Sequence, residues 1–432
     1  MRLVPVSLLA ILLAGPAGAA PSEVANLISN PGFTTGLEGW TAEPETDVAW
    51  TNLDASGSAG SGSALLTNVT SGMPHFVKLW QCVAVEAPVV GFALRFRARI
   101  PGGQDGRIGA WASLSAHESA ECLGAGYSGT PAGGGGSIPS PPPQVVDEWV
   151  ERPAQFLEAP PGLQVRSIRV LLVVNYGSSG GEARAHFDDV SLTPLVRMTI
   201  PASASLPGQN GAFFRSDLSL FNGSRSTARV DLSHHCLAGR ECPPAVVGLD
   251  RVVFVPPRSS TVLRDVLAKI SRAGTAGPLE LTFDGALPVV ATSRVSSSPS
   301  PGVTNGTTIP ALPRAAARTR SVLVPLSWGG DGLEGGFRTN VGVFNPEEAQ
   351  VEVTLKLFES DGEPIGTPFS RTLAPREPLQ IDDVFVSLDA GDDVHEGAFL
   401  VVEATAAVFS YAIVIDEESH DATFIAGVDD SL

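Results

Sequence analysis

The sequence predicts an all-β protein of several sandwich domains, and three observations carry that prediction. Apolar and polar residues alternate with a period of two in several segments, the mark of strands with one buried and one wet face. Gly (46) and Pro (35) are abundant, yet 43% of the 432 residues are hydrophobic, which fits short strands joined by turns better than disorder. The second half of the chain also repeats itself, block after block in one order, at offsets of about 120 residues.

Residues 1–19 read as a secretory signal peptide: Arg2, the apolar run Leu8–Ala14, then Ala17-Gly18-Ala19. Export to the extracellular space or periplasm is expected. No later run reaches the ~18 apolar residues of a membrane helix, so no membrane insertion is expected.

Residues 20–195 form the first domain. Phe92, Leu94, Phe96, Ala98 and Ile100 occupy one face of a strand, with Arg95, Arg97 and Arg99 on the other. Ile108, Ala110, Ala112 and Leu114 face inward on a second strand and leave Trp111 on its opposite face. Val165–Val174 is a further apolar strand. Gly133–Gly136 and Pro141–Pro143 belong to a long loop within the domain.

The domain opens on Asn26-Leu27-Ile28-Ser29-Asn30-Pro31-Gly32-Phe33 with Gly39-Trp40, and closes on His186-Phe187-Asp188-Asp189-Val190-Ser191-Leu192. These ends resemble those of secreted carbohydrate-binding modules of the galactose-binding-like, jelly-roll kind. The resemblance implies a jelly-roll β-sandwich, core positions for Trp40 and Trp149, and a glycan ligand. It also implies a structural calcium ion near the joined termini, with Asp188 and Asp189 as oxygen donors; no other cofactor is expected.

Sugar rings stack on aromatic platforms and need a few polar groups to fix their hydroxyls. Trp111 either lines such a groove, with Arg95 and Arg97 as hydroxyl partners if their strand lies alongside, or is buried under the 123–145 loop. Tyr127 and Tyr176 are the next aromatic candidates. Trp80 shares a face with Cys82 and is expected in the core, packed on a disulfide.

After Pro194 the duplication begins. Phe214-Arg215-Ser216-Asp217-Leu218-Ser219-Leu220-Phe221-Asn222 returns as Phe337-Arg338-Thr339-Asn340-Val341-Gly342-Val343-Phe344-Asn345. Pro257-Arg258 with Asp265-Val266 returns as Pro375-Arg376 with Asp383-Val384, and Val289–Val295 aligns with Val408–Val414. Residues 196–316 and 317–432 are therefore two copies, each the size of one immunoglobulin-like β-sandwich. They resemble tandem repeats of exported bacterial proteins with no assigned activity. Ser296–Thr308, rich in Ser, Pro and Gly, reads as a mobile surface loop.

The net charge of −18 is unevenly placed: residues 331–432 hold 22 acidic and 4 basic side chains, whereas 197–320 hold 14 basic and 7 acidic. No broad basic face exists for nucleic acid. The opposite charges allow the two repeats to attract and dock, or the acidic end serves only solubility. Four cysteines in an exported chain suggest two disulfides, and locality favours Cys82–Cys122 and Cys236–Cys242. A metal site at His234-His235-Cys236 is the lesser alternative for the second pair.

Enzyme signatures are missing. His117-Glu118 and His395-Glu396 lack the second His of a zinc-protease helix, and Gly126-Tyr127-Ser128-Gly129 lacks the spacing of a nucleophile elbow. The expectation is a secreted, non-catalytic protein that binds polysaccharide or cell-surface glycan through its first domain, with the repeats as spacers. The rivals are a structural or adhesive exported protein without a sugar site and, third, an unrecognised polysaccharide hydrolase.

Overall fold

A computed structural model describes residues 25–43, 47–69, 76–85, 90–104, 109–128, 146–152, 154–159, 162–175, 182–208, 213–237, 251–300, 303–329, 336–391 and 393–429. The expected signal peptide, residues 129–145, Tyr176 and Cys242 lie outside the described residues. The chain is all-β.

The first module is built from β1 (Thr41–Glu43), β2 (Val48–Thr51), β3 (Ser63–Asn68), β4 (Phe76–Ala84), β5 (Gly91–Arg99), β6 (Gly109–His117), β7 (Val150–Glu151), β8 (Gln155–Glu158), β9 (Ser167–Asn175) and the start of β10 (Ala183–Pro207). One antiparallel sheet runs β1-β4-β9-β6. The other runs β2-β3-β10-β5, with β7 and β8 on the far edge of β5. Alternation explains the sandwich: Val77, Leu79, Ala110, Ala112, Ile168, Val170 and Leu172 from one sheet meet Leu66, Leu94, Phe96 and Phe187 from the other, all closed to solvent. Asn26 joins the ends, donating to the Val190 carbonyl (3.0 Å) and accepting from the Leu192 amide (3.0 Å). Cys82 and Cys122 form a disulfide that ties β4 to the segment after β6; such a loop closure contributes roughly 2–4 kcal/mol.

β10 crosses without a break into the first repeat, where β11 (Phe213–Asn222), β12 (Ala228–His234), β13 (Val252–Val255), β14 (Ser259–Leu263), α1 (Val266–Lys269), β15 (Thr275–Asp284), β16 (Val289–Ser300), β17 (Val303–Pro310) and β18 (Leu312–Pro313) follow. The second repeat holds β19 (Arg318–Trp328), β20 (Phe337–Phe344), β21 (Val351–Phe358), β22 (Pro364–Leu373), β23 (Pro378–Ile381), α2 (Val384–Ser387), β24 (His395–Asp416) and β25 (Ala422–Ala426). In the first copy the paired strands are β13-β12-β15-β10 and β14-β11-β16-β17. In the second they are β22-β21-β24-β19 and β23-β20-β24-β25, the long β24 serving both sheets.

The repeated sequence blocks are scaffold. Asn222 donates to the carbonyls of Ser226, Val255 and Pro256, and Asn345 to those of Ala349, Leu373 and Ala374. Asp265 and Asp383 start α1 and α2 from the left-handed region (φ 46° and 48°), and Arg258 and Arg376 share it (49° and 60°). Most of Ser296–Thr308, expected as a mobile loop, is strand: Ser296–Ser300 ends β16 and Val303–Thr308 begins β17, the two strands paired with each other. Serines and threonines, small and polar, serve a half-wet strand as well as a loop, so their abundance does not by itself mark a loop.

The domains touch. Asp284, fully buried, takes the Arg95 guanidinium (2.7 Å) and the Thr193 hydroxyl (2.6 Å), locking the first module onto the first repeat. Between repeats, Arg376 reaches Glu280 (3.1 Å) and the His235 ring lies 5.0 Å from that of Phe344. This ion pair runs against the net charges, with the acid on the basic copy and the base on the acidic one.

Candidate functional site

The outer face of sheet β1-β4-β9-β6 gathers three aromatics of the first module: Phe76 and Trp80 on β4, and Trp111 on β6. Register sets two adjacent rows. Trp111 on β6 stands opposite Val173 on β9, which faces Lys78 on β4 and then Glu43 on β1. One pleat further, Ser113 faces Leu171, Trp80 and Thr41. Two strand spacings and one pleat separate the Cα atoms of Trp111 and Trp80 by about 12 Å, wider than one pyranose ring. Phe76, at the end of β4, meets Trp111 edge-on with ring centroids 5.7 Å apart.

Arg169 stacks on Trp80, its guanidinium carbon 4.4 Å from the ring centroid. A ligand at that end meets a guanidinium with an indole beneath it, whereas among the described residues Trp111 has an edge contact from Phe76 and no stacked ring. The Arg169 Nε is buried without a hydrogen-bond partner. Lys78, paired with Glu43 at 3.7 Å, and Ser113 and Ser115 supply polar groups on the same face. The face therefore offers two aromatic stations with donors beside each, the combination that sugar recognition requires.

The sequence candidates scatter around this face. Trp111 is half-buried on it. Arg95 and Arg97 are not: β5 lies in the opposite sheet, so their side chains leave from the other side of the sandwich. Arg95 is spent on Asp284, and Arg97 on the Ala55 carbonyl (3.2 Å) and Asp189 (3.5 Å). Tyr127 bridges to Ala116, whose side chain is in the core, so it sits at the sheet edge off the platform. Tyr176 lies outside the described residues.

Trp80 is half-buried on the outer face, where a core position was expected. The odd-even pattern that placed Trp111 outward applies to it equally, since Val77, Leu79, Gln81 and Val83 are the buried set. Trp149 is likewise half-buried and packs edge-on against His186 (6.2 Å) on the outside of its sheet. Trp40 is in the core.

The carboxylates expected to hold calcium have these partners within the chain. Asp188, fully buried, accepts from the amides of Ala55 (2.8 Å) and Asp189 (2.7 Å). Burial pushes its pKa up to about 7, against the pull of those two amides. Asp189 turns to Arg97. Among the described residues no group of three or more His, Cys, Asp or Glu side chains is placed to hold a metal. At the other candidate metal corner Cys236 is disulfide-bonded, His235 meets Glu280 (2.7 Å), and burial lowers the His234 pKa to about 3.

No protein-family model matches the chain, and no curated protein matches it. Similar solved structures include a carbohydrate-binding module, TmCBM61, in complex with β-1,4-galactotriose: 16% identity, 39% of this chain and 99% of that one, TM-score 0.26. The enzymatically active domain of tailspike protein 4 of bacteriophage CBA120 shares 19% identity over 39% of this chain, with TM-score 0.28, and the match spans 21% of that domain's length. The adhesin domain of Epf from Streptococcus pyogenes shares 9% identity over 94% of this chain and 97% of its own, with TM-score 0.26.

Proposed function

We propose that this is an exported, non-catalytic glycan-binding protein whose first module takes a polysaccharide across the outer face of β1-β4-β9-β6. The observation that carries the reading is the paired stations on that face, Trp111 with Phe76 and Trp80 with Arg169. Their separation suits a chain of sugar rings better than a single one. Trp111 stacks a ring, Arg169 and Lys78 donate to hydroxyls, and the repeats carry the module away from a surface on a rigid β10 junction.

The test is a glycan array on residues 20–432, followed by titration of the best hit into wild type and Trp111→Ala. Loss of one stacking ring is expected to weaken binding by about 1–3 kcal/mol, ten- to a hundredfold. Unchanged affinity in Trp111→Ala and Trp80→Ala, with the fold intact, moves the site elsewhere. An array without hits favours the adhesive or structural reading, and turnover of any glycan by the purified protein ends the non-catalytic one.

A further inference from the structure

The first repeat carries a cleft of about 620 Å³ on the outer face of β11 and β16, remote in the chain from the aromatic face. Three guanidinium groups line it: Arg215, Arg264 and Arg294. Arg215 stands opposite Ser296 and Asp217 opposite Arg294, so Arg215 and Arg294 are diagonal neighbours about 7–8 Å apart at the backbone. The carboxylate between them is already engaged. Asp217 takes Arg264 on one oxygen and the Asp265 amide on the other (2.9 Å), and these hold its pKa below the usual range although burial opposes them. Among the described residues Arg215 and Arg294 have no ion pair. A second carboxylate, Asp265, and a ring and two hydroxyls from Phe213, Ser296 and Thr304 complete the wall, and the Arg215 guanidinium lies over the Phe213 ring at 5.6 Å.

The second repeat shows that the sandwich does not require these cations. Arg338, the counterpart of Arg215, is neutralised by Glu417 (2.7 Å). Ile413 pairs with Asn340 as Arg294 pairs with Asp217. Asp382 precedes Asp383 at the start of α2, where Arg264 precedes Asp265 at the start of α1.

We infer that this cleft is a second ligand site, taking a carboxylate or sulfate ester carried on a saccharide. One anion between Arg215 and Arg294 relieves their mutual repulsion and accepts planar, two-point hydrogen bonds of the kind guanidinium groups favour. The hydroxyls of Ser296 and Thr304 and the Phe213 ring suit the sugar that bears it, and the volume holds more than a bare anion. This site lies on a different domain from the aromatic face and fails separately from it.

The experiment titrates a galacturonate hexasaccharide, a sulfated galactose hexasaccharide and their neutral counterpart into the full chain. Wild type is compared with Arg264→Asp/Arg294→Ile, which installs the second repeat's residues at exposed positions, and with Trp111→Ala. At least one acidic sugar is expected to bind wild type and Trp111→Ala alike, to weaken as salt rises, and to lose tenfold or more in the double variant at an unchanged unfolding midpoint. Which acidic sugar binds separates carboxylate from sulfate ester. Failure of both to bind overturns the site, as does binding that survives the double variant or is matched by the neutral sugar. Equal binding of a polyglutamate peptide assigns the cleft to an acidic protein and overturns the saccharide.

Discussion

The two repeats share strand order, the asparagine clip and the left-handed starts of α1 and α2, yet their surfaces have parted. The first presents unpaired arginines on one sheet face, and the second spends its arginines on neighbouring acids. What is common to both is what closes the sandwich: a buried amide on three carbonyls and an aspartate on a constrained turn. Much of what differs is solvent-facing, with the buried Glu280 of the first copy, matched by Val401 in the second, as an exception at the junction. A duplicated fold thus separates shared scaffold from divergent residues within one chain, and the following experiments press on that division.

The largest effect is expected at the junction between the copies. Glu280, 5% exposed, serves His235 (2.7 Å), Arg376 (3.1 Å) and, at 3.9 Å, Arg197. Its register partner on β10 is Thr199, and the matching position opposite Val322 is Val401. Glu280→Val therefore borrows the second copy's own residue. It removes the carboxylate from a buried group of bases and should cost on the order of 3–5 kcal/mol in denaturant unfolding. Burial works to raise the Glu280 pKa, but His235, Arg197 and Arg376 outweigh it and the net direction is down. Its stabilisation is thus present above the unfolded carboxylate range and is lost as pH falls through the lowered folded value. A loss under about 1 kcal/mol would mean that the junction rests on apolar packing alone.

Next come the clips themselves. Asn222→Ala and Asn345→Ala each strand three carbonyls in a dry setting, and each should cost about 2–3 kcal/mol. Near-equal losses, read from chemical unfolding of the full chain, are what a shared scaffold demands. A loss confined to one copy would show that the matching geometry hides unequal roles.

Much of the architecture was legible because alternation is a local signal: β5 and β6 were readable residue by residue. The duplication was legible because the clip and turn residues tolerate few substitutes. The site was less so. Strand neighbours are a topological fact, and nothing local says that β9 lies between β6 and β4 while β5 joins the other sheet, which is why the arginines Arg95 and Arg97 read as neighbours of Trp111. Trp80 was assigned to the core on the strength of the neighbouring disulfide, although its own alternation pointed outward. The cationic cleft stayed hidden because Arg215, Arg264 and Arg294 come from three separate segments.

The first module and the repeat junction should also respond to pH with opposite signs. At Asp188 the folded pKa is raised to about 7, with burial as the main cause. Here the folded state holds a proton that the unfolded chain has released, so stability falls as pH climbs from the unfolded carboxylate range toward 7. Calorimetry of the full chain should show the first module losing about 2 kcal/mol between pH 5 and 8. Asp188→Asn should flatten that slope while leaving the repeats' acid sensitivity in place. A rise of the same transition on adding calcium would put an ion at this corner.

The smallest effect is expected from salt. Opposite net charges on the two repeats suggest a docking that screening would loosen, but the contacts say otherwise. The Glu280–Arg376 pair is largely shielded from solvent, and ions screen buried pairs far less than exposed ones. Beside it, Leu312 and Ala316 of the first copy pack against the stacked Phe344 and Phe409 of the second, a dry cluster indifferent to ionic strength. Arg314–Glu347 joins the copies in the sense their net charges favour, and it is exposed enough that its share is under about 1 kcal/mol. Small-angle scattering of the full chain should therefore give one profile at low and high salt, and Arg314→Ala should not change it. A profile that expands as salt rises would mean that surface charge, and not the buried contact, sets the angle between the repeats.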